Sequence, residues 1–214
     1  ARDFLQVLNQ SDKIKHSDVV VVFHACEAIL LHLGAQITAE LKVEENYSES
    51  KNAKLQSLAV DLSREILQNH IKYLMMFLSD KNTAQQSITS LRLLTAMVEA
   101  GGPSAGKEVL IKVDFEHPNL VGLPARAIQI QNLNIRKCHL EFLVAFFVAG
   151  NSSVIKEFLE KNSTRNHLAS LFPGFIYDDH DVVQLVISTL HEKLLNNPAI
   201  SKTAKMQLFG VHNL

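Results

Sequence analysis

The sequence predicts an all-α protein, an armadillo- or HEAT-like α-solenoid of stacked helix pairs. Three observations carry that expectation. Apolar residues recur at helical spacing along most of the chain, and no confident strand pattern interrupts them. Between Leu140 and Ala149 only Glu141 is polar, so a helix there is apolar nearly all round, as an inner helix covered on both sides is. Finally, Leu91–Leu110 overlays Leu140–Leu159 without a gap at an offset of 49 residues. The overlay pairs Leu91 with Leu140, Leu94 with Leu143, Ala96 with Ala145, Ala100 with Ala149 and Gly101 with Gly150. Beyond the turn it pairs Ser104 with Ser153, Lys107 with Lys156, Glu108 with Glu157 and Leu110 with Leu159. That period is slightly above the ~40–47 residues typical of HEAT and armadillo repeats. An irregular all-α domain with two similar hairpins is the alternative.

The elements follow in order. Phe4, Leu5 and Leu8 predict a short first helix. Ser17-Asp18 then caps a long one through Val19, Val22, Phe23, Cys26, Ile29, Leu30 and Leu33, which Gly34 ends or loosens. Residues 42–54 are charged, rich in Ser and Asn and poor in apolar side chains, so a flexible loop is expected there. Leu58, Leu62, Ile66, Leu67, Ile71, Leu74, Met75 and Leu78 make one long helix, or two joined near Asn69-His70. Thr83-Ala84-Gln85-Gln86 fits a capping box and opens the next helix, through Ile88, Leu91, Leu94 and Val98. Residues 113–133 lack a period and contain Pro118, Gly122 and Pro124, which predicts an aperiodic inter-helix arm. The apolar helix around Phe142–Val148 stops at Gly150-Asn151-Ser152-Ser153, and an amphipathic partner follows through Ile155, Phe158 and Leu159. The apolar run of ten residues is too short to span a bilayer, which needs ~20, so no membrane contact is expected. Leu168–Phe172 predicts a short helix halted by Pro173-Gly174. Asp178-Asp179 caps another through Val182, Val186, Leu190 and Leu194, stopped at Asn196-Asn197-Pro198, and Ser201 caps a last piece toward Phe209.

Composition bounds the function. Of 214 residues, 47% are hydrophobic, enough for a sizeable core in one domain or one run of repeats. The 21 Lys and Arg are balanced by 22 Asp and Glu, which argues against a strongly basic, non-specific grip on nucleic acid. A local basic patch is still open: Lys107, Lys112, Arg126, Arg136 and Lys137 surround the aperiodic arm and are the candidate RNA- or partner-facing residues. Cys26 and Cys138 fall within helical patterns, as buried free thiols of a reducing compartment do. The chain begins Ala1-Arg2 with no signal-peptide pattern and is expected to be a piece of something longer.

Candidate chemistry is sparse. Gly101–Glu108 has the glycine and lysine spacing of a phosphate-binding loop, but Glu108 stands where the magnesium-binding hydroxyl should be and would repel phosphate. A turn between helices is the expectation. His24 and Glu27 share a helix face, yet no second His/carboxylate pair on another helix could complete a metal site, so surface polar residues are expected. The cluster Asp178, Asp179, His180 and Asp181 reads as charge at a helix N-terminus rather than a cation site. No catalytic residue, cofactor, metal or small-molecule substrate is predicted.

Several short runs then occur in a telling order. They are Glu27-Ala28-Ile29-Leu30-Leu31, Asn69-His70-Ile71-Lys72, Leu94-Thr95-Ala96-Met97-Val98, Phe147-Val148-Ala149-Gly150, Ser188-Thr189-Leu190 and Asn197-Pro198-Ala199-Ile200-Ser201-Lys202-Thr203. Together, over roughly residues 15–209, they resemble the ribosome 60S biogenesis N-terminal family. Departures are Asn134 before Ile135-Arg136, where an acidic residue is expected although Asn caps equally well, and the unmatched stretches 42–54 and 113–133. The resemblance implies that residues 1–214 are one N-terminal segment of a large helical-repeat protein of the nucleus and nucleolus. It implies a non-catalytic scaffold in early large-subunit assembly and pre-rRNA processing, with pre-60S proteins, assembly factors and pre-rRNA as partners. An armadillo-type module for another cargo, such as a transport receptor or adaptor, is the alternative.

Overall fold

A computed structural model describes residues 5, 6, 8, 14–41, 49–79, 81–170 and 178–209, and every regular element among them is helical. Helix α1 (His16–Leu41) buries Val19, Val22, Phe23, Cys26 and Leu30 on one stripe. By length and composition it would pass for a membrane span, but it packs on two later helices, α2 (Glu49–Asn69) and α4 (Ala84–Lys112). Gly34 does not end it. A Cβ at Gly34 would lie 3.6 Å from that of Ala100 on α4, so small residues face each other where the two helices approach.

Helix α2 (Glu49–Asn69) corrects the expected loop at 42–54. Residues 49–54 are helical, and 42–48 lie outside the described residues. The physical reason is that Ala59, Leu62, Ile66 and Leu67 anchor the later turns in the core. Propagating an existing helix backward costs little once its nucleus exists. His70 then breaks the chain, and α3 (Ile71–Phe77) follows, which decides for two helices over one.

Helix α4 (Ala84–Lys112) opens with the predicted capping box: Thr83 Oγ1 accepts from Gln86 N at 3.3 Å and Thr83 N donates to Gln86 Oε1 at 2.9 Å. It kinks at Gly102, whose φ of 58° and ψ of −146° are accessible in practice only to glycine. Pro103 follows at the first position of the second half, where its missing N–H costs nothing. The phosphate-loop-like run is thus the turn between two helical halves, as predicted.

The expected aperiodic arm, 113–133, is corrected too. It contains α5 (Pro118–Val121) and α6 (Leu123–Gln129), and it is docked rather than free. Val113, Phe115, Leu120, Leu123 and Ala127 are buried. Asn119 Nδ2 donates to Met75 O at 3.0 Å, and Arg126 reaches the same end of α3. Helices this short show no period, and Pro118 and Pro124 occupy first-turn positions where proline belongs.

Helix α7 (Leu133–Val148) buries Ile135, Leu140, Phe142, Leu143, Val144, Ala145, Phe146 and Phe147. Asn132, not Asn134, holds its N-cap position, without a side-chain bond. Asn151 caps α8 (Ser152–Glu160) by accepting from Val154 N at 3.0 Å. Phe142 and Phe146 meet Phe158 of α8 and Phe115 in one edge-to-face and stacked cluster. Each buried ring contributes roughly 1.5–3 kcal/mol from transfer out of water. After α9 (Asn162–Ala169), the expected stop at Pro173-Gly174 lies outside the described residues. Helix α10 (His180–Thr189) passes into a π-helical turn at Leu190–Leu195, and Ser201 Oγ accepts from Ala204 N at 3.1 Å to cap α11 (Lys202–Phe209).

Helices α1, α4, α7 and α10 each pack on the next, with α2 against α1 and α4, and α8 against α4 and α7. The two segments that overlay at 49 residues are both helix–turn–helix units. Their matched leucines are buried, and Ser104 and Ser153, like Lys107 and Lys156, are exposed.

Candidate interaction surface

The five basic residues singled out in the sequence do not gather into a patch. Arg136 is buried, its side chain 1% exposed, and its Nε donates to Asp178 Oδ1 and Oδ2 at 2.8 and 3.0 Å. This corrects two expectations, since Asp178 serves a buried guanidinium rather than the N-terminus of α10. The reason is that a buried cation without a counter-charge costs far more than an uncapped helix end. Arg126 is likewise structural. Its guanidinium donates to the carbonyls of Leu78, Ser79 and Asn82 at 3.3, 2.8 and 2.8 Å, and to Ser87 Oγ at 3.2 Å. It satisfies the carbonyl end of α3, where cations are favoured. Lys137 is half-buried, one turn from Glu141. Lys107 and Lys112 are exposed on the second half of α4.

A different surface emerges where the four successive helices meet. Glu27 and Leu31 of α1, Arg92, Thr95, Ala96 and Glu99 of α4, Glu141, Val144 and Val148 of α7 and Leu185 of α10 line a groove of about 360 Å³. Glu27 was expected at the surface beside His24, but it is 4% exposed. It accepts from Arg92 Nε at 2.7 Å, while His24 lies 3.4 Å from its other oxygen and 3.3 Å from Thr89 Oγ1. That network crosses from α1 to α4 and neutralises Arg92. Glu99 and Glu141 have no hydrogen bond or ion pair to any described residue. Glu99 is exposed as a residue and Glu141 half-buried, yet the groove walls withdraw water from both carboxyls and push their pKa values up. For Glu99 the charge of Glu141 adds to that shift, while Lys137 and Arg92 restrain it in Glu141. Around them stand exposed apolar side chains: Leu31, Val148 and Leu185 are 46%, 51% and 42% accessible.

Other titratable groups serve the interior. His139 and His167 are buried with their Nε2 atoms 2.6 Å apart, and His139 Nδ1 has no partner among the described residues. With His139 Nε2–H donating to His167 Nε2, the buried His139 Nδ1 is left as a bare acceptor. Cys26 and Cys138 are free and buried, and burial pushes both thiols up to about 11, as inert core thiols require. No group of three or more metal-binding side chains gathers among the described residues. A larger cavity of about 660 Å³ brings together Lys72, Lys81, His16 and His117, scattered in the sequence, with Met75, Met76 and Asn119.

The model of the family described as ribosome 60S biogenesis N-terminal matches residues 1–214. The chain belongs to that family. Nucleolar pre-ribosomal-associated protein 1 of Mus musculus is 25% identical over 210 residues, covering 97% of this chain. The Homo sapiens protein of the same name is 24% identical over the same share. The chain spans 8% of the length of each of these relatives. No solved structure matches it. Within the family-matched segment, the groove is the feature sequence reasoning missed. Its signal was Glu141, the lone charge in an otherwise apolar run, and the 49-residue register extends to it. Arg92, Thr95 and Glu99 correspond to Glu141, Val144 and Val148, and all six face the groove.

Proposed function

We propose that this chain is a non-catalytic, armadillo-like scaffold segment acting in early biogenesis of the large ribosomal subunit, within nucleolar precursor particles. The observation that carries the reading is the family match across residues 1–214. The stacking of α1, α4, α7 and α10, and the repeated helix–turn–helix unit, support a solenoid whose exposed faces hold partners side by side. Pre-60S proteins and assembly factors are its partners, and the scaffold's contribution to pre-rRNA processing is to keep them in place. Direct pre-rRNA contact falls to Lys107 and Lys112, the exposed members of the predicted basic set.

The test is affinity recovery of the intact protein with and without this segment, at matched protein levels. Loss of large-subunit precursor RNA and proteins on deletion is the expected result. Undiminished recovery of those particles, or recovery of an unrelated cargo alone by the intact protein, overturns the reading.

A further inference from the structure

We propose that the groove between α1, α4, α7 and α10 docks a cationic, partly apolar segment of another protein, one lysine or arginine side chain entering between Glu99 and Glu141. The inference adds a partner chemistry to the scaffold reading and rests on different observations. Four helices contribute to one concavity of about 360 Å³, at the small end of the ~300–1,000 Å³ range of ligand clefts and suited to a few side chains. Its charge is one-sided. Among the described residues Arg92 is the only cation in the lining, and Glu27 already holds it at 2.7 Å. Glu99 and Glu141 face the same space without a hydrogen bond or ion pair from the described residues. Their mutual repulsion and partial desolvation are relieved by an incoming cation and worsened by phosphate. Nucleic acid is therefore the wrong occupant for this groove, whatever it contacts elsewhere.

The rim supplies the second half of the match. Leu31, Val148 and Leu185 are large, exposed and set on three different helices around the carboxylates. Apolar side chains surrounding a charge exclude water and strengthen the ion pair formed there, the usual anatomy of an energetic centre in an interface. An aliphatic residue next to the docked lysine or arginine would cover that rim. The repeat register places equivalent faces of α4 and α7 on the two walls, so the groove is a product of helix stacking rather than of one accidental side chain.

The experiment uses the intact protein carrying the photo-crosslinker p-benzoylphenylalanine in place of Val148, with crosslinks mapped to residues. The expected product is a lysine- or arginine-bearing segment of one protein. Its yield should fall roughly tenfold or more in Glu99→Lys/Glu141→Lys, and measurably in Glu99→Gln/Glu141→Gln, with melting temperature unchanged. A crosslink to RNA, a crosslink to an uncharged or acidic segment, no crosslink, or a yield indifferent to both variants overturns the proposal. Recovery of precursor particles is scored in the same samples. Particles retained by charge variants with an unchanged crosslink refute the groove alone, and a charge-dependent crosslink without particles refutes the scaffold reading alone.

Discussion

Acid should unfold this chain through the His139–His167 pair. Both rings are buried and neutral in the folded state, and burial is the first cause of their lowered pKa values. For His139 the neighbouring His167 and then Arg136 add to it, while Arg136 itself is paired with Asp178. His167 is pushed down to about 4. In the unfolded chain both return to ~6.5. Below that value the unfolded state binds more protons, so stability that is complete above pH ~6.5 is lost as pH falls toward the folded pKa. Between pH 7 and 5, His167 alone costs about 2 kcal/mol, and His139, also pushed down by burial, acts in the same direction. The His167 loss alone is a sizeable part of a typical ~5–15 kcal/mol stability and lowers the melting temperature by roughly 4–8 °C, with His139 adding in the same direction. Glu99 and Glu141, whose pKa values are raised, oppose the loss as they protonate, so the comparison needs a variant. Replacing both histidines with leucine removes the two partners together, leaving neither unpaired. Urea unfolding at pH 7 and pH 5 should show the pH-dependent loss shrink by at least about 2 kcal/mol in that variant. Equal losses in the parent and the variant would refute the assignment of buried neutral rings.

Three substitutions test other features. Arg136→Ala leaves Asp178 uncompensated and should cost ~3–5 kcal/mol in urea unfolding, whereas Arg136→Met with Asp178→Leu should recover most of it. Arg126→Ala strips donors from the carbonyl end of α3 and should cost ~1–3 kcal/mol, while leaving RNA crosslinking of the intact protein unchanged. Gly102→Ala forces a side chain into φ 58° and brings a Cβ within 2.7 Å of Gln56 Nε2, so ~1–3 kcal/mol should be lost, read as a lower melting temperature.

Helix existence was legible wherever burial is one-sided and long. The stripe of α1, the capping box at Thr83 and the turn at Gly150-Asn151 were read from residue type and spacing alone, because each rests on a local geometric rule. What was not legible depends on partners distant in sequence. Arg126 and Arg136 look like surface cations until the carbonyls of Ser79 and Asn82 and the carboxylate of Asp178, each more than forty residues away, are brought beside them. Glu27 follows the same logic, since Arg92 completes it from 65 residues away. The short helices α5 and α6 escaped because 4 and 7 residues cannot display a 3.6-residue period.

The 49-residue register separates what the architecture fixes from what it leaves free. Buried positions stay apolar: Leu91 and Leu140, and Leu94 and Leu143, are matched in type, while Met97 pairs with Phe146 and Val98 with Phe147, all of them fully buried. Positions on the groove do not. Arg92 becomes Glu141, Thr95 becomes Val144 and Glu99 becomes Val148, although both sets occupy the same face of their helices. Packing tolerates no loss of volume at the first set, because a cavity there costs several kcal/mol. It imposes no such demand on Arg92, Glu99, Glu141 and Val148, which reach the groove exposed or half-buried. A stacked-helix chain can therefore vary its groove chemistry layer by layer without disturbing the core that aligns the layers. Here the result is a face with two carboxylates unpaired among the described residues and an apolar rim, the face on which the proposed docking is tested.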